Sequence, residues 1–145
     1  MDNKGFTLVE LLVTIIVLTL IMSIGTYSIT QVMKNAKKKD YELLITNIKS
    51  GVELYYQECK YVYSGLITCP QAVSSGGIDY YNVLLGDLVK YGFLKGNSTN
   101  SSGGYALVNP NDNENIENCK IKYSYKDGKV SIVAVDATGS CPTGY

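Results

Sequence analysis

An α+β fold, in which one long N-terminal α-helix lies across a small antiparallel β-sheet, is what this 145-residue sequence predicts. Three observations carry that expectation. No side chain from Leu11 to Met33 is charged, apolar residues recur at helical spacing from Tyr41 to Cys59, and two β-rich runs flank Asp127-Gly128 near the C-terminus. Because roughly 20 apolar helical residues cross a hydrocarbon core of about 30 Å, the first half of the helix reads as transmembrane. The second half reads as amphipathic.

The helix opens at Gly5-Phe6-Thr7-Leu8-Val9-Glu10. Glu10 is the one charge at the head of the apolar run, and a membrane carboxylate costs on the order of 2.5 to 3.5 kcal/mol at mid-bilayer, so such residues tend to be functional. A short charged leader ending in Gly5, then Phe6, then Thr-Leu-Val-Glu and a hydrophobic helix resembles the class III signal of type IV pilins and of the pseudopilins of secretion and competence machines. The motif is specific, and it covers the leader and the apolar run only. The resemblance implies that a prepilin peptidase cuts between Gly5 and Phe6, that Phe6 is then N-methylated, and that Glu10 serves assembly. It also implies a pilin-like fold with a leader at 1–5, a transmembrane and assembly helix at 6–33, an amphipathic continuation at 34–59 and a disulfide-stapled head at 60–145. The partners implied are copies of the chain and other pilins, the prepilin peptidase, the inner-membrane assembly platform and the cytoplasmic membrane. Before assembly the head would lie outside that membrane; afterwards the subunit would belong to an extracellular pilus or a pseudopilus.

Physical chemistry gives Glu10 a role without the family. Cleavage would place a cationic amine on Phe6, one helical turn from the carboxylate, where low dielectric makes an unpaired charge expensive. Within one chain the carboxylate also sits at the positive end of the helix dipole, worth a few tenths to about 1 kcal/mol. Between chains it can neutralise a neighbour's amine. The competing reading is a glutamate that reaches the headgroups.

A secretory signal peptide does not fit, because the uncharged run is too long and no Ala-x-Ala follows it. A simple signal anchor remains a competitor. Counting lysines, Lys4 before the run against Lys34, Lys37, Lys38 and Lys39 after it, would put the C-terminal side in the cytoplasm. The resemblance puts it outside, and the cysteines agree with the resemblance.

Those cysteines, Cys59, Cys69, Cys119 and Cys141, are an even number in a small domain read as exported. Three connectivities are possible; the sequence-local one, Cys59 with Cys69 and Cys119 with Cys141, is expected. No C-x-x-C occurs and histidine is absent, which argues against a metal centre. Net charge is zero and all 13 basic residues are lysine, so no field or bidentate arginine singles out nucleic acid as a partner. Lys34 to Lys39 read as the point where the helix leaves the membrane. No nucleophile elbow, phosphate loop or histidine base is present. No enzyme and no cofactor is expected.

From Tyr41 the stripe Leu44, Ile45, Ile48, Val52, Tyr55, Tyr56, Cys59 predicts one core-facing side. A helix unbroken from Phe6 to about Glu58 would be roughly 80 Å long. Gly25 is its soft point, and no proline precedes Pro70; many type IV pilins break this helix with proline, so the departure leans toward a pseudopilin or minor pilin. Ser74 to Gly77 reads as loop, followed by a short helix from an Asp79 N-cap to Gly92. Gly96 to Gly104 reads as a polar loop carrying two N-x-[ST] sequons, at Asn97 and Asn100. Strands are expected at Tyr105–Asn109, Cys119–Lys126 and Lys129–Asp136. Asp127-Gly128 signals a type I′ hairpin, whose register opposes Tyr125 with Val130, Tyr123 with Ile132 and Ile121 with Ala134 on the buried face, and Lys122 with Val133 on the other. Asn109 to Asn115 is rich in oxygen ligands but lacks EF-hand spacing, and reads as a solvated turn.

Two functional readings follow. The first is a structural subunit of a type IV pilus or pseudopilus. The alternative is a competence or secretion pseudopilin, or a tip-located minor pilin whose tyrosine-rich head binds a ligand.

Overall fold

A computed structural model describes residues 7–62, 65, 67–99, 103–135 and 139–145, and of residues 24–28 and 62 the backbone alone. The chain divides into two compact units, Met1–Lys37 and Lys38–Tyr145. Helix α1 (Leu8–Gln57, 50 residues) contributes to both. It closes in a π-helical turn, Glu58–Val62, and continues through Gly25.

In the first unit every described side chain from Thr7 onward is exposed. The hydroxyls turn back on their own helix: Thr14 donates to the Leu11 carbonyl and Thr19 to that of Ile16, both at 2.8 Å, and Ser23 to that of Thr19 at 2.7 Å. Internal satisfaction of this kind suits a helix in apolar surroundings. Among the described residues no helix is long and apolar enough to cross a membrane. The uncharged run of the sequence passes through residues 24–28, whose side chains lie outside the described set.

In the second unit the predicted stripe is buried. Leu44, Ile45, Ile48, Val52, Tyr55 and Tyr56 pack into a core with Val83, Leu85, Leu88, Leu107, Ile116, Ile121 and Tyr123. Each buried aliphatic of this set contributes about 1.5 to 3 kcal/mol. Gly51 shares the stripe for a steric reason: a Cβ there would stand 2.8 Å from the Phe93 carbonyl oxygen.

The main sheet is antiparallel, in the order β1-β2-β5-β6: β1 (Val73–Ser75), β2 (Ile78–Leu84), β5 (Lys120–Lys126) and β6 (Lys129–Val135). It consists of two hairpins joined through β2 and β5. Gly76 and Gly77 turn the first at φ 62° and 77°, and Asp127 and Gly128 turn the second at 53° and 82°. Paired positive φ values are what a two-residue type I′ connection needs.

The expected helix from Asp79 to Gly92 is therefore replaced by strand β2 and the shorter helix α2 (Leu85–Lys90). Ile78-Asp79-Tyr80-Tyr81-Asn82-Val83 is rich in aromatic and β-branched residues, which favour a half-buried strand. Asp79 does not cap a helix. Its carboxylate accepts from the Ser74 hydroxyl across the hairpin, while the first amides of α2 are satisfied by main chain, Leu85 by Cys119 at 3.0 Å and Gly86 by Glu117 at 2.8 Å. The stop is as expected, with Gly92 at φ 81°.

The β5–β6 register agrees with expectation from the turn as far as Tyr123 opposite Ile132, then slips at a bulge between Lys122 and Tyr123. Ile121 faces Val135 instead of Ala134, and Lys122 faces Ala134 instead of Val133. Without the bulge Ala134 would face the core and Val135 the solvent. With it, Val130, Ile132 and Val135 all pack against the core and Val133 is exposed. Asp136 lies outside the described residues.

The expected strand Tyr105–Asn109 shrinks to β4 (Tyr105–Ala106), paired with β3 (Ser98–Thr99) in the expected polar loop, plus a bridge between Val108 and Asn115. Side chains take the place of a neighbouring strand. The Glu117 carboxylate accepts from the Leu107 amide at 3.1 Å, and the Asn97 amide exchanges two bonds of 2.8 Å with the main chain of Val108.

Candidate functional site

At the start of α1 the sequence places a threonine three residues before a glutamate, the pattern of a capping box. The Thr7 amide and hydroxyl both donate to Oε2 of Glu10 at 2.9 Å, and the Glu10 amide donates to the Thr7 hydroxyl at 3.3 Å. Two orphan amides of the helix start are thereby satisfied. Oε1 of Glu10 has no partner among the described residues. Gly5 and Phe6, the expected cleavage and methylation positions, lie outside the described residues. Leu8, Val9, Leu11, Leu12, Ile15 and Ile16 surround the box, each at least half exposed.

The staples sit in the second unit. Cys59 is bonded to Cys69 and Cys119 to Cys141. One ties the π-helical turn to the segment entering β1. The other ties the residue preceding β5 to the C-terminal tail, where the Tyr41 hydroxyl accepts from the Thr143 amide at 2.7 Å and donates to its carbonyl at 2.8 Å.

The Asn109–Asn115 segment closes on itself. Asn109 is buried, donates its side-chain amide to the Ser140 carbonyl at 2.8 Å and accepts from the Asn111 amide at 3.0 Å; Asp112 accepts from the Glu114 amide at 3.0 Å. No group of three or more metal-ligating side chains occurs among the described residues. Of the two sequons, Asn97 spends its amide on Val108 as described above, and Asn100 lies outside the described residues.

Sequence reasoning missed a cleft of about 410 Å³ between the end of α1, the Cys59–Cys69 staple and the sheet. Tyr56 stacks on Tyr125 with ring centroids 4.4 Å apart and meets Tyr81 edge-on at 5.4 Å. The Lys60 ammonium stands 4.6 Å from the Tyr125 ring centre and 5.5 Å from those of Tyr56 and Tyr61, the geometry of a cation held on aromatic faces. The Tyr56 hydroxyl and the surrounding rings hold that ammonium above the usual lysine range. Asp79 and Pro70 complete the rim. Only the abundance of tyrosine hinted at this cluster, since its members come from α1, the π-helical turn, β2 and β5.

No curated protein and no solved structure matches the chain. Residues 1–26 match the family model described as the prokaryotic N-terminal methylation motif. With Thr7 and Glu10 boxed at the head of a helix whose apolar side chains are uncovered, and with that helix continuing into the core of a small antiparallel α+β head, the chain carries the class III prepilin signal of the type IV pilins and pseudopilins on a pilin-like fold.

Proposed function

We propose that this chain is a structural subunit of a type IV pilus or pseudopilus. Cleavage between Gly5 and Phe6 removes the leader, and the new amine on Phe6 is methylated. Residues 6–33 hold the subunit in the cytoplasmic membrane with residues 60–145 outside, and then pack against copies of themselves and against other pilins in the filament. The assembly platform and the prepilin peptidase are its membrane partners. Structural work rather than catalysis is the common role of chains with this motif.

The observation that carries this reading is the contrast within α1. Its second half buries an apolar stripe in its own head, while its first half, which lies largely within the methylation motif, leaves large aliphatic side chains exposed from Leu8 to Ile21. A surface of that extent requires lipid or other helices to cover it. Mass spectrometry of the N-terminus in assembled material tests the reading. Methylated Phe6 is the expected first residue; an intact Met1 there would overturn it.

A further inference from the structure

We propose that the cleft beside the Cys59–Cys69 staple is a binding site for a neutral, hydroxyl-rich saccharide. This goes beyond filament assembly, because the cleft is built wholly from residues of the second unit. Its volume, about 410 Å³, falls in the range of small-ligand sites, which combine aromatic walls with a few placed polar groups.

The walls select the ligand by exclusion. Lys60 already occupies the aromatic faces of Tyr56, Tyr61 and Tyr125, so a cationic ligand meets a like charge at the place where rings would hold it. Asp79, in the same lining, disfavours an anion. A wholly apolar ligand would strip water from both charges without replacing its hydrogen bonds. A sugar satisfies all three conditions, since its hydroxyls donate to a carboxylate and accept from an ammonium while its C–H face lies on an aromatic ring. Asp79 is exposed and, among the described residues, its carboxylate accepts from the Ser74 hydroxyl through one oxygen, so it keeps acceptor capacity for such a ligand. Tyr81, half-buried in the same lining with its ring stacked on Tyr123 at 5.4 Å, is the ring on which the sugar would lie.

The test uses the full chain in a non-glycosidic zwitterionic detergent, applied to an array of neutral and acidic glycans, followed by titration of the best neutral trisaccharide. Binding of a neutral glycan is expected, weakened at least tenfold by Asp79→Asn and by Lys60→Gln. Tyr105→Ala, an exposed tyrosine outside the cleft, should leave it unchanged. Both cleft variants alter exposed side chains, so a thermal melt matching the parent chain confirms that the head is folded. Absence of neutral-glycan binding, binding restricted to acidic glycans, or equal affinity in Asp79→Asn would each overturn the site. Filament incorporation of Asp79→Asn should be normal, which separates failure here from failure of the assembly reading.

Discussion

Thr7 and Glu10 bind each other reciprocally at the first turn of α1, and both Thr7 donors converge on one carboxylate oxygen, Oε2. The carboxylate therefore caps its own helix and still keeps Oε1 for a further donor. In the filament that donor would be the Phe6 amine of a neighbouring subunit.

Glu10→Gln separates the two roles. Glutamine serves in a capping box as glutamate does, so the helix start survives while the charge is lost. Insertion, cleavage after Gly5 and folding of the head should be unchanged. Incorporation should fail, because a buried amine left without a counter-charge costs about 3 to 5 kcal/mol. Comparing membrane and filament fractions reads this directly, and equal incorporation would show that Glu10 is a capping residue only. Thr7→Ala should instead weaken the helix start by about 0.5 to 2 kcal/mol and leave the counter-charge in place.

Gly51 faces the Phe93 carbonyl so closely that a Cβ would stand 2.8 Å from its oxygen. Alanine is favoured over glycine in a helix interior by about 1 kcal/mol, whereas forcing backbone apart in a packed core costs about 1 to 3 kcal/mol. The clash should win. Gly51→Ala is expected to lower stability in denaturant titration, while Ser50→Ala, on the exposed side of the same turn, should be neutral or slightly stabilising. A more stable Gly51→Ala would mean that α1 can move away from Phe93 freely.

The two disulfides close loops with sequence separations of 10 and 22 residues. Chain-entropy reasoning gives each about 3 kcal/mol, slightly more for the longer loop. Since a head of this size has a total stability of about 5 to 15 kcal/mol, reduction of both should shift its midpoint sharply toward unfolding. Replacing Cys119 and Cys141 by alanine should cost at least as much as replacing Cys59 and Cys69. Non-reducing peptide maps that join any other pair would contradict this assignment.

Local chemistry made the β5–β6 turn readable, because Asp127-Gly128 fixes a two-residue connection and therefore the pairing of Tyr125 with Val130. The bulge one step further was hidden. Strict alternation turns Ala134 inward, and only the shape of the core decides that Val135 takes its place. Asp79 misled for a related reason, since an aspartate before an apolar run signals a helix start as readily as a strand partner for Ser74. Glu10 stands out in the sequence by the cost of a carboxylate in an apolar run, while the cleft does not, because Tyr56, Tyr81 and Tyr125 meet only after the sheet has folded against α1.

Tyr123 gives the last test, through its hydroxyl. That oxygen is buried and has no hydrogen-bond partner among the described residues, and burial pushes the phenol well above its ordinary range. Burial, helped by the Asp87 carboxylate, likewise lifts Tyr55 from 10 to about 12, although its hydroxyl donates to the Thr68 carbonyl. For both, the folded pKa exceeds the unfolded one, so their contribution is intact below about pH 10 and is lost as pH rises through the folded values, because the unfolded chain releases its protons first. Within that window each such tyrosine lowers stability by at most about 1.4 kcal/mol per pH unit. Tyr123→Phe removes an unpaired polar atom and should leave stability at pH 7 equal or about 1 kcal/mol higher, with a shallower decline above pH 10. Tyr55→Phe should flatten the same decline yet cost about 1 kcal/mol at pH 7, since it breaks a made bond. If Tyr123→Phe were as destabilising at pH 7 as Tyr55→Phe, the Tyr123 hydroxyl would have to be hydrogen-bonded in solution, and the assignment of an orphaned polar group to this core would be wrong.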